Sequence, residues 1–261
     1  MSITAAQVKE LRDRTGIWMM ECKKALMETG WDIEKAIEEL RKKGLAKAAK
    51  KADRETSEWA IRIVTEAWNA YIVSVSCETD FLASSDRFKA MMDDVVNFLK
   101  ENWSDSKDSA QEFINSNYAL ELGENLQVTD YNIISWDVVS AYIHSNWKLA
   151  ALIVAKSGTD EEKLKQVAMH VTAANPEYLR ATDISDDVVE KEKAIQLDMM
   201  KNDPKMWNKT DDVLLKIIEW KMGKFKSEIS LLEQSFVVDP NLKVKNFIGE
   251  DNLVEFHRFS I

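Results

Sequence analysis

The sequence predicts an α+β fold, on three observations. Three short helical faces open the chain, a β-then-α order occurs twice behind them, and a long helical stretch with one break follows. The strands are expected to pair antiparallel, because each β region contains runs close enough in sequence to form hairpins.

Val8 and Leu11 set the apolar face of the first helix, and Gly16 ends it. Met19, Met20, Ala25 and Leu26 serve the second, which stops at Gly30. Asp32 is a good N-cap for the third. Ile33, Ala36, Ile37 and Leu40 then fall at i, i+3, i+4 and i+7, the stripe of a helix with one buried face. Gly44 reads as a left-handed stop. Residues 1–44 therefore predict a three-helix domain, near the lower size limit for an independent core. Residues 45–56 are Ala- and Lys-rich with few large apolar groups, and predict a basic helical linker. An RNA-contacting arm is the other reading, but nucleic-acid binders interleave charge with stacking aromatics, and this segment has none.

Ile61, Ile63, Ile72, Val73 and Val75 alternate with polar residues around Asn69 and Ala70, which predicts a hairpin. Helical spacing returns over 87–100 through Met91, Met92, Val95, Phe98 and Leu99, and again over 109–122, with a stop at Gly123. With a strand at 126–134, residues 57–134 form a first core subdomain. Strands at 138–144 and 149–155 and a helix at 160–174, ended by Asn175-Pro176, begin a second subdomain over 135–261. Residues 186–228, broken at Asn202-Asp203-Pro204, predict a helical hairpin. Val188, Ile195, Leu197, Met199 and Met200 would face Val213, Leu214, Ile217 and Ile218. A strand at 254–261 closes the chain.

The chain has 261 residues, 45% hydrophobic and 31% charged, enough to bury a sizeable core. No run of 18 apolar residues is present, so no membrane span is expected. The first ten residues show neither an apolar leader core nor an Arg-rich transit pattern, which points to the cytoplasm. Charge is uneven. Residues 1–54 hold 13 Lys/Arg against 9 Asp/Glu, and the rest holds 22 against 36, so a head of +4 precedes a body of −14. An acidic body argues against direct nucleic-acid binding, while the basic head suits association with an acidic protein surface.

With 7 Gly and 3 Pro, glycine-dependent phosphate cradles are scarce, and neither G-x-x-x-x-G-K-[ST] nor G-x-G-x-x-G occurs. His144, His170 and His257 are scattered, with no pair at i, i+4, so neither a metal site nor a cofactor is expected. His170, on the apolar run 167–171, reads as a satisfied core histidine, and His144 as more exposed. Cys22 and Cys77 read as small buried hydrophobes rather than a disulfide.

Cys77-Glu-Thr-Asp-Phe81 lies between a strand and a helix and admits two readings. In one, Thr79 or Asp80 caps the helix and Phe81 packs in the core. In the other, an acid and an aromatic ring project together from the junction as an interface anchor.

Several stretches, in order along nearly the whole chain, resemble the elongation factor Ts family. They are Thr15-Gly-Ile-Trp-Met-Met-Glu-Cys-Lys-Lys-Ala-Leu26, Gly30-Trp-Asp-Ile-Glu-Lys-Ala-Ile37, Ala46-Lys-Ala-Ala-Lys-Lys51, Val75-Ser-Cys-Glu-Thr-Asp-Phe-Leu-Ala83, Ala168-Met-His-Val171 with Asn175-Pro176, and Val188-Val-Glu-Lys-Glu192. The resemblance implies a ubiquitin-associated-like N-terminal domain, a two-part core and a helical hairpin. It implies exchange activity without covalent chemistry, hence no enzyme in the usual sense, with elongation factor Tu as partner. Carried over by position, Asp80 and Phe81 would disturb the partner's magnesium region and wedge between its helices, flanked by Thr79 and Leu82. Leu122, Gly123 and His144 would line the same surface, and Val237 and Val238 a further face. Met19, Met20, Lys23 and Lys24 would dock the N-terminal domain, whose role is expected to be separable from exchange itself. The hairpin is a candidate for self-association.

Two features depart from the family pattern: Ile17-Trp18 stands for a small pair, and Asn146-Trp-Lys-Leu for a glycine-containing turn. The chain also ends at residue 261, where many members carry a further helical module. The competing functional readings are a ubiquitin-associated-like adaptor or scaffold without exchange activity, and an enzyme, which would need a deep pocket with convergent polar groups.

Overall fold

A computed structural model describes residues 5–102, 106–204 and 209–260. Ile261, expected as the last strand residue, lies outside them. The described chain is α+β: three N-terminal helices, two three-stranded antiparallel sheets with helices on them, and a helical hairpin. It divides into two units. One holds the described residues up to Ser135 together with Ile143–Lys148, and the other holds Trp136–Tyr142 with Leu149–Ser260.

The first unit begins with α1 (Ala5–Thr15), α2 (Met19–Glu28) and α3 (Ile33–Ala49). Val8, Leu11, Cys22, Ala25, Leu26, Ala36 and Leu40 close a small core among them. Gly16, at φ 69°, ends α1, and the Asp32 carboxylate accepts from the Lys35 N–H at the start of α3. The expected stop at Gly44 is not found: α3 runs through it to Ala49. Gly44 is used for its small size. A Cβ there would stand 2.8 Å from the Asn115 carbonyl oxygen, so α3 crosses the helix that carries Asn115 backbone against backbone.

β1 (Glu58–Glu66) and β2 (Asn69–Cys77) form the expected hairpin, turning at Ala67-Trp68 rather than at Asn69-Ala70. α4 (Asp80–Ser84), α5 (Asp86–Asn102), α6 (Lys107–Asn117) and α7 (Ala119–Leu122) follow, and β3 (Gln127–Ser135) returns beside β2. The predicted helix over 109–122 is thus two helices that meet at Tyr118. Tyr71, Val73, Val75 and Cys77 of β2 pack against Phe88, Met91, Met92, Val95 and Leu99 of α5 and Ile114 of α6.

The second unit contains β4 (Val138–Ile143, its last residue in the first unit), β5 (Leu149–Ala155), α8 (Glu161–Ala174), α9 (Asp186–Lys201), α10 (Asp211–Ile229), α11 (Val244–Ile248) and β6 (Leu253–Ser260). The sheet order is β4-β5-β6, and Ala151, Ile153 and Ala155 pack on Leu164, Val167 and Val171 of α8. α9 and α10 form the hairpin, but with a narrower seam than the sequence suggests. Met200, Ile218 and Met222 are buried, whereas Ile195, Leu197, Met199 and Val213 are exposed. Among the described residues, no helix is long and apolar enough to cross a membrane.

Candidate functional site

β2 ends at Cys77 and α4 starts at Asp80, so two residues turn the chain from strand to helix. Thr79 is the N-cap: its hydroxyl oxygen accepts from the Leu82 N–H at 3.3 Å. Leu82 and Ala83 turn inward to the core. Asp80 and Phe81 stand on the other side, and Phe81 is 82% exposed. The reading that placed Phe81 in the core is therefore overturned, while its other half, capping by Thr79, holds.

A carboxylate closes this corner from across the fold. Glu124 Oε2 accepts from the Glu78 N–H at 2.9 Å and the Thr79 N–H at 3.0 Å, and Oε1 accepts from the Thr79 hydroxyl at 2.6 Å. Glu78 reciprocates, its Oε1 accepting from the Asn125 N–H at 2.6 Å. That bond, and after it the charge of Arg54, holds the Glu78 carboxyl below the usual carboxylate range. Burial, and then the nearby Glu124 charge, push the Cys77 thiol up to about 12. Gly123, at φ 77°, ends α7 in the left-handed region and swings Glu124 into place. Thus Thr79, Asp80, Phe81 and Leu82 are brought to one corner with Leu122 and Gly123.

The segment after α3 belongs to this corner too. Lys47 donates to the Leu120 carbonyl at 3.1 Å and Lys51 to the Gly123 carbonyl, satisfying acceptors at the end of α7. The Asn125 side chain donates to the carbonyls of Arg54, at 2.6 Å, and Ala52, at 3.3 Å. The segment is largely exposed, as expected of a solvated linker, and it also braces this corner.

His144 is exposed on the turn that follows β4. The Trp147 N–H donates to the His144 carbonyl at 2.9 Å, and the Ile61 N–H of β1 donates to the Trp147 carbonyl at 2.8 Å. Trp147 adopts φ 60°, a conformation that glycine takes most easily. Its indole packs on the first unit's core with Arg62 and Lys89 over the ring. In the second unit, Val237 and Val238 are exposed next to the buried Phe236, and the Val237 N–H donates to His170 Nδ1 at 3.2 Å. On α2, Met19, Met20, Lys23 and Lys24 are exposed beside Trp18, while Cys22, Ala25 and Leu26 face inward.

Residues 78–261 match the family model described as Elongation factor TS. An elongation factor Ts of Histophilus somni strain 2336 is 41% identical over 253 residues, covering 96% of this chain and 87% of that protein. One of Yersinia pestis strain Pestoides F is 40% identical over 268 residues, covering 100% and 92%. The chain belongs to the elongation factor Ts family. Membership in the elongation factor Ts family makes it a nucleotide exchange factor of translation elongation.

For this member of the elongation factor Ts family, the sequence singles out Asp80, Phe81, Leu122 and Gly123 as candidates and gives no role to the residues that hold them: Glu78, Glu124, Asn125, Lys51 and Arg54. The signal available was an acid directly behind a helix-ending glycine, an acceptor without a local donor. Its donors lie about 45 residues earlier, beyond any local pattern. Among the described residues, no group of three or more His, Cys, Asp or Glu is placed to hold a metal.

Proposed function

We propose that this chain accelerates GDP release from elongation factor Tu by inserting Phe81 and presenting Asp80 at the partner's nucleotide site. The observation that carries this is the exposure of Phe81 on a corner capped by Thr79 and clamped by Glu124. A large apolar ring held in water by a rigid frame suits an interface anchor. Exchange works by linkage: a factor that lowers GDP affinity is itself bound less tightly when GDP is present. Its contacts must therefore favour the nucleotide-free partner. A ring wedged between helices does so, because packed helices shift between discrete arrangements. An acid near the metal region disfavours the charge pattern that retains magnesium and phosphate.

Leu122, Gly123 and His144 would extend this surface, Val237-Val238 would supply a further contact, and Met19, Met20, Lys23 and Lys24 would dock the N-terminal helices. The exposed Ile195, Met199, Leu215 and Trp220 support use of the hairpin in a protein contact, with the partner or with a second copy. The work would be done in the cytoplasm, where translation runs, without covalent catalysis and without nucleotide bound to this chain.

The test is release of labelled GDP from purified elongation factor Tu. Phe81→Ala should slow release at least roughly tenfold. Asp80→Ala should lose less, with a defect that shrinks when magnesium is chelated. Because Phe81 is exposed, its truncation should shift stability by no more than about 0.5 kcal/mol. Normal release by a folded Phe81→Ala variant would sink the proposal.

A further inference from the structure

We propose that Glu124 is a positioning residue for exchange, holding Asp80 and Phe81 in their presenting geometry by clamping the two residues before them. This rests on the reading that Asp80 and Phe81 meet the partner.

Phe81 is 82% exposed and its ring gains little hold from packing, so its backbone must be held. α4 spans only Asp80–Ser84. A helix that short is nearly all nucleus, the part of a helix least able to sustain itself. Leu82 and Ala83 anchor its inner face in the core, and Glu124 holds the two residues that lead into it. One carboxylate takes the Glu78 N–H, the Thr79 N–H and the Thr79 hydroxyl, at 2.9, 3.0 and 2.6 Å. Hydrogen bonds to an ionised acceptor are roughly twice as strong as neutral ones. By fixing the Thr79 hydroxyl, Glu124 also leaves the Thr79 oxygen in place to accept from the Leu82 N–H. Glu124 is itself fixed from behind, through the left-handed Gly123 and the Lys51 amine on the Gly123 carbonyl. A chain of contacts thus runs from Lys51, just past the end of α3, to Thr79, the residue before Asp80 and Phe81. A misplacement of about 1 Å is enough to weaken a preorganised site severely.

The test is a double-mutant cycle on GDP release from elongation factor Tu, with saturating rate and half-saturating concentration read separately. Glu124→Ala should cut the saturating rate about tenfold. Glu124→Gln, which keeps one carbonyl acceptor for the two N–H groups, should recover a substantial part. In a Phe81→Ala background the further loss from Glu124→Ala should shrink to about threefold or less, because of the two groups it positions only Asp80, the smaller contributor, remains. Hydrogen exchange at the Glu78 and Thr79 amides should speed up in Glu124→Ala while the strand amides of β2 stay protected, which separates a loosened corner from general unfolding. Equal losses in both backgrounds, or normal release by Glu124→Ala beside an impaired Phe81→Ala, would overturn the role of Glu124 alone. Normal release by Phe81→Ala would instead overturn the exchange reading beneath it.

Discussion

His170 shows how a single buried residue can fix an exposed one. Its ring, 1% exposed, accepts from the Val237 N–H at Nδ1, so its proton must sit on Nε2, which lies 2.9 Å from Gln234 Oε1. The Gln234 amide nitrogen donates to the Glu228 carbonyl at 2.6 Å, which fixes the orientation of that side chain. Only the neutral ring satisfies this set, since a proton on Nδ1 would face the Val237 N–H donor to donor. Burial lowers the histidine's value, and the Gln234 bond offsets part of that. The folded value lies below the unfolded one, so under about pH 6.5 the unfolded chain binds the proton first. Stability from this site is therefore full above that pH and declines as pH falls. The denaturant midpoint should drop between pH 7.5 and 5.5, and His170→Gln should drop less. An identical drop in both would show that His170 does not titrate as described. The sequence already placed this histidine in a core, because it interrupts an apolar helix face. Its service to Val237 was hidden, since the two lie 67 residues apart. Phe81 was less legible: aromatic residues after a strand usually pack inward, and only the inward turn of Leu82 and Ala83 decides that the ring points out.

At the scale of elements, hydrophobic spacing located the helices and strands well, and two boundaries fail for opposite reasons. β5, a continuous apolar run, and α8, ended at Asn175-Pro176, lie where the sequence puts them, and the structure adds Asp160 as N-cap and a left-handed Asn175. The hairpin turn was misplaced because Ala67, at φ 52°, takes a conformation whose usual markers are Gly, Asn and Asp. Gly44 misled in the opposite way. A glycine after an apolar stripe reads as a stop, but here the missing side chain permits a helix crossing that only the third dimension reveals. Gly44→Ala is the informative change. It should gain about 1 kcal/mol of helix propensity. Against this, its Cβ would meet the Asn115 carbonyl at 2.8 Å and the Ser116 carbonyl at 3.2 Å, and backbone cannot swing aside as a side chain can. Overpacking of this kind costs about 1–3 kcal/mol, so the substitution should lower the melting temperature. Gly44→Val should lower it further. A rise for Gly44→Ala would mean that α3 and α6 do not approach so closely.

Across the molecule, the charge division suggested a basic head that steers an otherwise independent body, and the contacts within the first unit argue for a closer connection. Lys47 and Lys51 hold the end of α7, and the Ala52 and Arg54 carbonyls accept from the side chain of Asn125, whose backbone N–H donates to Glu78. The head should therefore have two effects that can be measured apart. Steering acts before contact and is screened by salt, with a Debye length of about 30 Å at 0.01 M and about 3 Å at 1 M. Deleting residues 1–54 removes the +4 head, so association with elongation factor Tu should slow at low salt and converge on the full chain's rate at high salt. Bracing acts after contact and is not screened in this way. The same deletion strips the supports of the 78–81 corner, so the saturating rate of GDP release should fall as well, at every salt concentration. The paired change Lys51→Ala with Arg54→Ala in the full chain separates the two effects. It removes the Gly123 tie and the Glu78 ion pair, leaves the folded helices in place and halves the head's net charge to +2, so the informative reading is at high salt, where steering is screened and the saturating rate should still be lowered. A truncated protein that reaches the full saturating rate would show that the head only steers and that the corner holds itself.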